Sequence, residues 1–109
     1  MKRIEWYKNL YVSPSAGKQK KKIMWKVTHK AGLLDTYLII LPHNGNNQLE
    51  ILNSSQLLQR HYNDLTTYVV GIAVGYEEAL SLIELMVNDI MIEKQEKNMR
   101  NYFERELKC

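Results

Sequence analysis

The sequence predicts an α+β fold: a small, largely antiparallel sheet of four or five strands, packed by a long C-terminal helix and one short helix. Three observations carry that expectation. Tyr68-Val69-Val70-Gly71-Ile72-Ala73-Val74 is an apolar run with the β-branched and aromatic bias of a buried strand. Gly75 then supplies a flexible joint, and Glu77 and Glu78 open a helix, where negative charge suits the positive end of the helix dipole. Earlier in the chain, Asn44-Gly45 separates two apolar runs, and this pair favours a tight hairpin because both residues tolerate positive φ.

Taken in order, Leu10-Tyr11-Val12 reads as a short strand, and Ser13-Pro14-Ser15-Ala16-Gly17 as the turn behind it. Residues 18–30 admit two readings. A helix would align Lys18, Lys22, Lys26 and Lys30, but it would leave Trp25 on the charged side, away from Ile23, Met24 and Val27. A strand lets Ile23, Trp25, Val27 and His29 alternate with Lys22, Met24, Lys26 and Thr28, and this alternation favours the strand. A hairpin connection over Lys30–Asp35 leads into a third strand, Thr36–Leu41, which Pro42 ends. After the Asn-Gly turn, Gln48–Leu52 returns antiparallel. Asn53, Ser54 and Ser55 offer N-caps for a short helix, Gln56–Tyr62, placed to cross over to the buried strand.

The final helix changes character partway. Ala79, Leu82, Ile83, Met86, Val87 and Ile90 form a core-facing stripe, after which residues 93–98 are wholly polar. Met99, Tyr102, Phe103 and Leu107 then share a second apolar face, and at about 100° per residue it lies roughly opposite the first. One straight helix cannot turn both faces to one core. Either the chain bends near Lys94–Asn98, or the tail packs on something else, for which a second copy of the chain is the leading candidate. The expected organisation is a single domain over 1–92 with a helical extension over 93–109, and Met99, Tyr102, Phe103 and Leu107 are the candidate oligomer interface.

Three stretches, Lys21-Lys22-Ile23-Met24-Trp25-Lys26, Leu49-Glu50-Ile51 with Gln56-Leu57-Leu58, and Gly71 through Ala79, together resemble a group of short, uncharacterised proteins from Gram-positive bacteria. The resemblance spans about residues 10–92 and leaves the tail outside it. That group has no assigned activity, so the resemblance carries over no functional residue.

Charge is divided unevenly along the chain. Residues 1–30 hold nine Lys/Arg against the single acid Glu5, whereas residues 31–92 hold seven acids against Arg60. A basic leader on an acidic body attracts nucleic acid or an acidic partner, or it pairs with its own body. The lone Cys109 excludes an intrachain disulfide and fits a reducing compartment. Neither a signal-peptide core near the start nor an apolar stretch of membrane-spanning length is visible, so a cytoplasmic protein without membrane contact is expected.

Few residues assemble into recognisable chemistry. The loop Ser13–Gln19 ends like a phosphate-binding P-loop, but Val12 stands where its first glycine belongs and Gln19 where its magnesium-binding hydroxyl belongs. His29, His43 and His61 share no ligand spacing, so no metal or other cofactor is expected. Ser13, Ser15, Ser54 and Ser55 sit in turns or caps that account for their hydroxyls. What remains is an interleaving of cations and rings, with Lys18, Lys20, Lys21, Lys22, Trp25 and Lys26 as the candidate nucleic-acid contacts. Two functions follow as expectations. The first is a noncatalytic interaction module that self-associates into a homo-oligomer; the alternative is a nucleic-acid-binding module using the basic N-terminal region.

Overall fold

The run Tyr68–Val74 lies inside a mixed sheet, hydrogen-bonded on both sides. A computed structural model of the chain describes residues 3–29, 33, 35–42, 48–59 and 66–108. In chain order these form β1 (Arg3–Val12), α1 (Pro14–Gly17), α2 (Lys20–Thr28), β2 (Thr36–Ile40), β3 (Glu50–Asn53), α3 (Ser54–Gln59), β4 (Thr66–Val74), α4 (Tyr76–Val87) and α5 (Met99–Lys108), with a π-helical segment, Asn88–Glu93, prolonging α4.

Among the described residues the sheet has four strands in the order β1-β4-β2-β3. The α+β class and the short sheet hold, but the expected antiparallel character needs correcting. β1 runs parallel to β4, while β4–β2 and β2–β3 are antiparallel. The departure comes from β1, which is ten residues long rather than the three expected at Leu10–Val12. Its Glu5, Lys8 and Asn9 blur the apolar pattern by which a strand is recognised. The Asn44-Gly45 turn lies outside the described residues.

Helices cover both faces of the sheet. Leu38, Ile40, Leu52, Val69 and Ile72 pack with Ala16, Ile23 and Val27 of α1 and α2. On the other face Tyr7, Ile39, Val70 and Ala73 pack with Ala79, Leu82, Met86 and Phe103 of α4 and α5. At Gly71 the register of β4 against β2 shifts, and a Cβ there would come within 3.2 Å of Ile39 Cδ1 and 3.3 Å of Leu82 Cδ2. Glycine thus allows the helix to settle closely on the sheet. Gly75 turns β4 into α4 at φ 89, a conformation that side chains rarely adopt. At the start of α3, Asn53 Oδ1 accepts from Ser55 N–H at 2.9 Å and Gln56 Oε1 accepts from Asn53 N–H at 3.0 Å, a reciprocal capping box.

Three further expectations are corrected here. Residues 20–28 are helical, not a strand, because i,i+4 spacing buries Ile23 and Val27 together against the sheet. The long C-terminal helix is broken. It widens into the π segment and then reverses at Gln95, whose φ of 55 sends Glu96 N–H back to Ile90 O at 3.1 Å. After that reversal α5 turns its apolar face toward the core already occupied by α4. Met99, Tyr102 and Phe103, expected to meet a second copy, are therefore buried within their own chain. Leu107 belongs to α5, but its side chain lies outside the described residues.

Candidate nucleic-acid interface

Once residues 20–28 wind as a helix, their polar and aromatic side chains sort onto one outer face. Ile23 and Val27 point at the sheet, so Lys21, Lys22 and Trp25 point away from it. Lys18, in the turn just before α2, and His29, just after it, fall on the same outward side. Lys20 and Lys26 flank that face and are half-buried. Trp25 is 60% exposed, although strand alternation would have placed it in the core.

Three contacts hold this face in place. His29 Nδ1–H donates to Trp25 O at 2.7 Å, which fixes the ring's tautomer because a carbonyl can only accept. The His29 ring then stacks on the indole, with centroids 4.2 Å apart and planes 26° from parallel. Beneath the helix, Trp6 Nε1–H donates to Thr28 Oγ1 at 3.3 Å and ties its last turn to β1.

The electrostatics of α2 are unfavourable as they stand. Its first turn contains no acid, and Gln19 gives no side-chain cap. Four lysines, Lys18, Lys20, Lys21 and Lys22, surround the positive end of the helix dipole, where a cation is destabilising by about 0.3–1 kcal/mol. They line a shallow, open depression of about 550 Å³ together with Gly17 and Gln19. Among the described residues none of these lysines, nor Lys26, pairs with a carboxylate. Within the described residues, no acid of the body forms an ion pair with this part of the basic leader. An anion would.

The P-loop-like segment is occupied by its own neighbours. Ser13 Oγ accepts from Val74 N–H at 3.2 Å, while Glu78 accepts from Ser15 N–H at 3.1 Å and from the Ser15 hydroxyl. Hydrogen bonds from Ser13 and Ser15 hold the Glu78 carboxyl below its ordinary range. A carboxylate at this spot repels phosphate.

A second polar constellation lies on the opposite face of the sheet. Tyr11 donates to Asp89, Lys94 Nζ lies 3.5 Å from Asp89 Oδ2 and donates to Tyr102 OH at 3.1 Å, and Tyr102 OH meets Tyr7 OH at 3.5 Å. Burial, then the Asp89 contact, pushes the Tyr11 hydroxyl above its usual range, and burial does the same for Tyr7. The Tyr11 hydrogen bond holds Asp89 low, and the bond to Tyr102 holds Lys94 high. At neutral pH Asp89 is thus a weak base, while Tyr7, Tyr11 and Lys94 keep their protons. The cluster can clasp the chain reversal.

Of the sequence candidates, Lys18, Lys21, Lys22 and Trp25 come together on one face, with Lys20 and Lys26 at its margins. Met99, Tyr102 and Phe103 come together in the interior. The residue that sequence reasoning missed is His29 as the partner of Trp25; its signal was the i,i+4 spacing, legible only in the helical reading. His43 and His61 lie outside the described residues, and among the described residues no group of His, Cys, Asp and Glu is placed to hold a metal. No described helix is long and apolar enough to cross a membrane. In comparisons with known proteins the chain matches no family model, no curated protein and no solved structure.

Proposed function

We propose that this chain is a small noncatalytic module that binds nucleic acid through α2. The observation that carries the reading is the outward Trp25, stacked on His29 and flanked by lysines that pair with no carboxylate among the described residues. Lysines following phosphates beside an exposed ring are the usual means of holding a strand. The uncompensated helix dipole adds to the same preference for a polyanion.

Fluorescence anisotropy with labelled oligonucleotides at two salt concentrations tests it. Affinity is expected to fall steeply with salt, because each phosphate contact releases counterions. The double variant Lys21→Ala/Lys22→Ala should weaken binding to every sequence and flatten the salt slope by about one to two. A chain that binds no oligonucleotide at low salt overturns the reading.

A different surface favours a second reading, self-association. Tyr76 and Leu80 are exposed side by side on α4, and Leu85 and Ile92 are exposed further along. These residues, rather than the C-terminal ones, would meet a second copy.

A further inference from the structure

Resting on the nucleic-acid reading, we infer that the strand bound at α2 is unpaired, with a base stacked on the free face of Trp25 and its neighbouring phosphates on Lys18, Lys21 and Lys22. The argument begins with the indole. The His29 ring covers one face of it at 4.2 Å, so the 60% exposure of Trp25 comes from the other face and the edges. A ring standing out from a helix can stack only on a base whose own face is free. Bases inside a duplex are stacked on both sides and offer none, whereas those of a single strand do.

The lysines fit the same geometry. At a rise of about 1.5 Å per residue, Lys21 and Lys22 lie about 5–6 Å and Lys18 about 10 Å along the helix axis from Trp25. A strand stacked at Trp25 therefore runs its adjoining phosphates over the lysine-lined depression at the start of α2. The platform is also set before the ligand arrives. The Nδ1–H bond to Trp25 O orients His29, and Trp6 pins Thr28 from below, so the His29 ring and the last turn of α2 need little reordering on binding.

Duplex reading by α2 is the rival, and its outer face argues against it. Of the side chains that read base edges in the major groove, residues 20–29 contain no Arg, Asn or Gln; they offer only lysines, which phosphates attract equally, and Thr28, whose hydroxyl is bonded to Trp6. A projecting indole in the middle of the face would also hold the helix off the groove floor. The ribose–deoxyribose difference plays no part in this contact, so single-stranded RNA and DNA share the chemistry.

The test uses the full-length chain and labelled oligonucleotides of one mixed sequence, as single-stranded RNA, single-stranded DNA and the matching duplexes. Either or both single strands should bind at least tenfold more tightly than either duplex, and the two single-strand arms report which sugar is preferred. Trp25→Ala removes a side chain outside the core; it should cut single-strand affinity roughly tenfold or more, leave duplex affinity unchanged and preserve the salt slope. Trp25→Phe should restore most of the loss. Equal binding of strand and duplex overturns the inference while the nucleic-acid reading stands. So does an unaltered single-strand affinity in Trp25→Ala when Lys21→Ala/Lys22→Ala weakens binding. Absence of binding to every probe overturns both.

Discussion

Tyr11 gives its phenolic hydrogen to Asp89, and through Lys94 and Tyr102 that bond is continuous with the chain reversal after the π segment. The direction of each shifted pKa fixes how this clasp responds to pH. Tyr7, Tyr11 and Lys94 hold their protons more tightly when folded, so their contribution is complete below about pH 10 and is lost as pH climbs through the raised folded values. Asp89 and Glu78 act in the opposite sense: their contribution is present above about pH 4 and is lost as pH falls through their lowered values. Thermal melting followed by circular dichroism should therefore be nearly flat from pH 6 to 9 and drop above about pH 10. Tyr11→Phe should cost about 1 kcal/mol at neutral pH and make the alkaline drop shallower. An alkaline limb as steep as that of the unaltered chain would show that Tyr11 contributes little.

Elements differ in how well their residues announced them. β2, β3, β4 and α4 were legible because short apolar runs, Pro42, Gly75 and the Glu77-Glu78 pair act locally. α2 was not, because alternation and i,i+4 spacing coexist in Lys22–His29, and only the sheet beneath decides which pair is buried. In the helical reading, the outer face with Lys18, Lys21, Lys22 and Trp25 is legible too. The Met99–Phe103 face was legible, and of its two expected destinations the bend near Lys94–Asn98 is the one that occurs, at Gln95. Which of the two occurs was not legible, because a reversal at a non-glycine residue leaves no sign in composition. Burial of that face makes α5 part of the core, and Phe103→Ala should destabilise the chain by about 3–5 kcal/mol in urea denaturation. A chain ending at Lys94 should uncover Tyr7, Met86 and Ile90 and form larger species by light scattering. A truncated chain that stays monomeric with unchanged stability would show α5 to be dispensable.

Across the whole molecule, the sheet separates two surfaces of different kind. The α2 side carries lysines around an exposed indole, while the α4 side exposes Tyr76, Leu80 and Leu85 among Glu77 and Glu84. The two proposed readings therefore occupy opposite sides and can be separated. If α4 mediates self-association, light scattering of the full chain shows a dimer that Leu80→Glu dissociates, with oligonucleotide binding retained. A monomer in both preparations removes that second reading.

The parallel partnership of β1 with β4 has a consequence for the life of the chain. Arg3 finds Thr66 only across more than half of the sequence. As the polypeptide leaves the ribosome, β1 emerges well before β4 and waits longer for its neighbour than any other described strand. Closure of so wide a circuit places folding toward the slow end for a chain of this size, milliseconds or longer. During that interval Tyr7 and Leu10 stay wet, and β1 is the described strand most exposed to its surroundings.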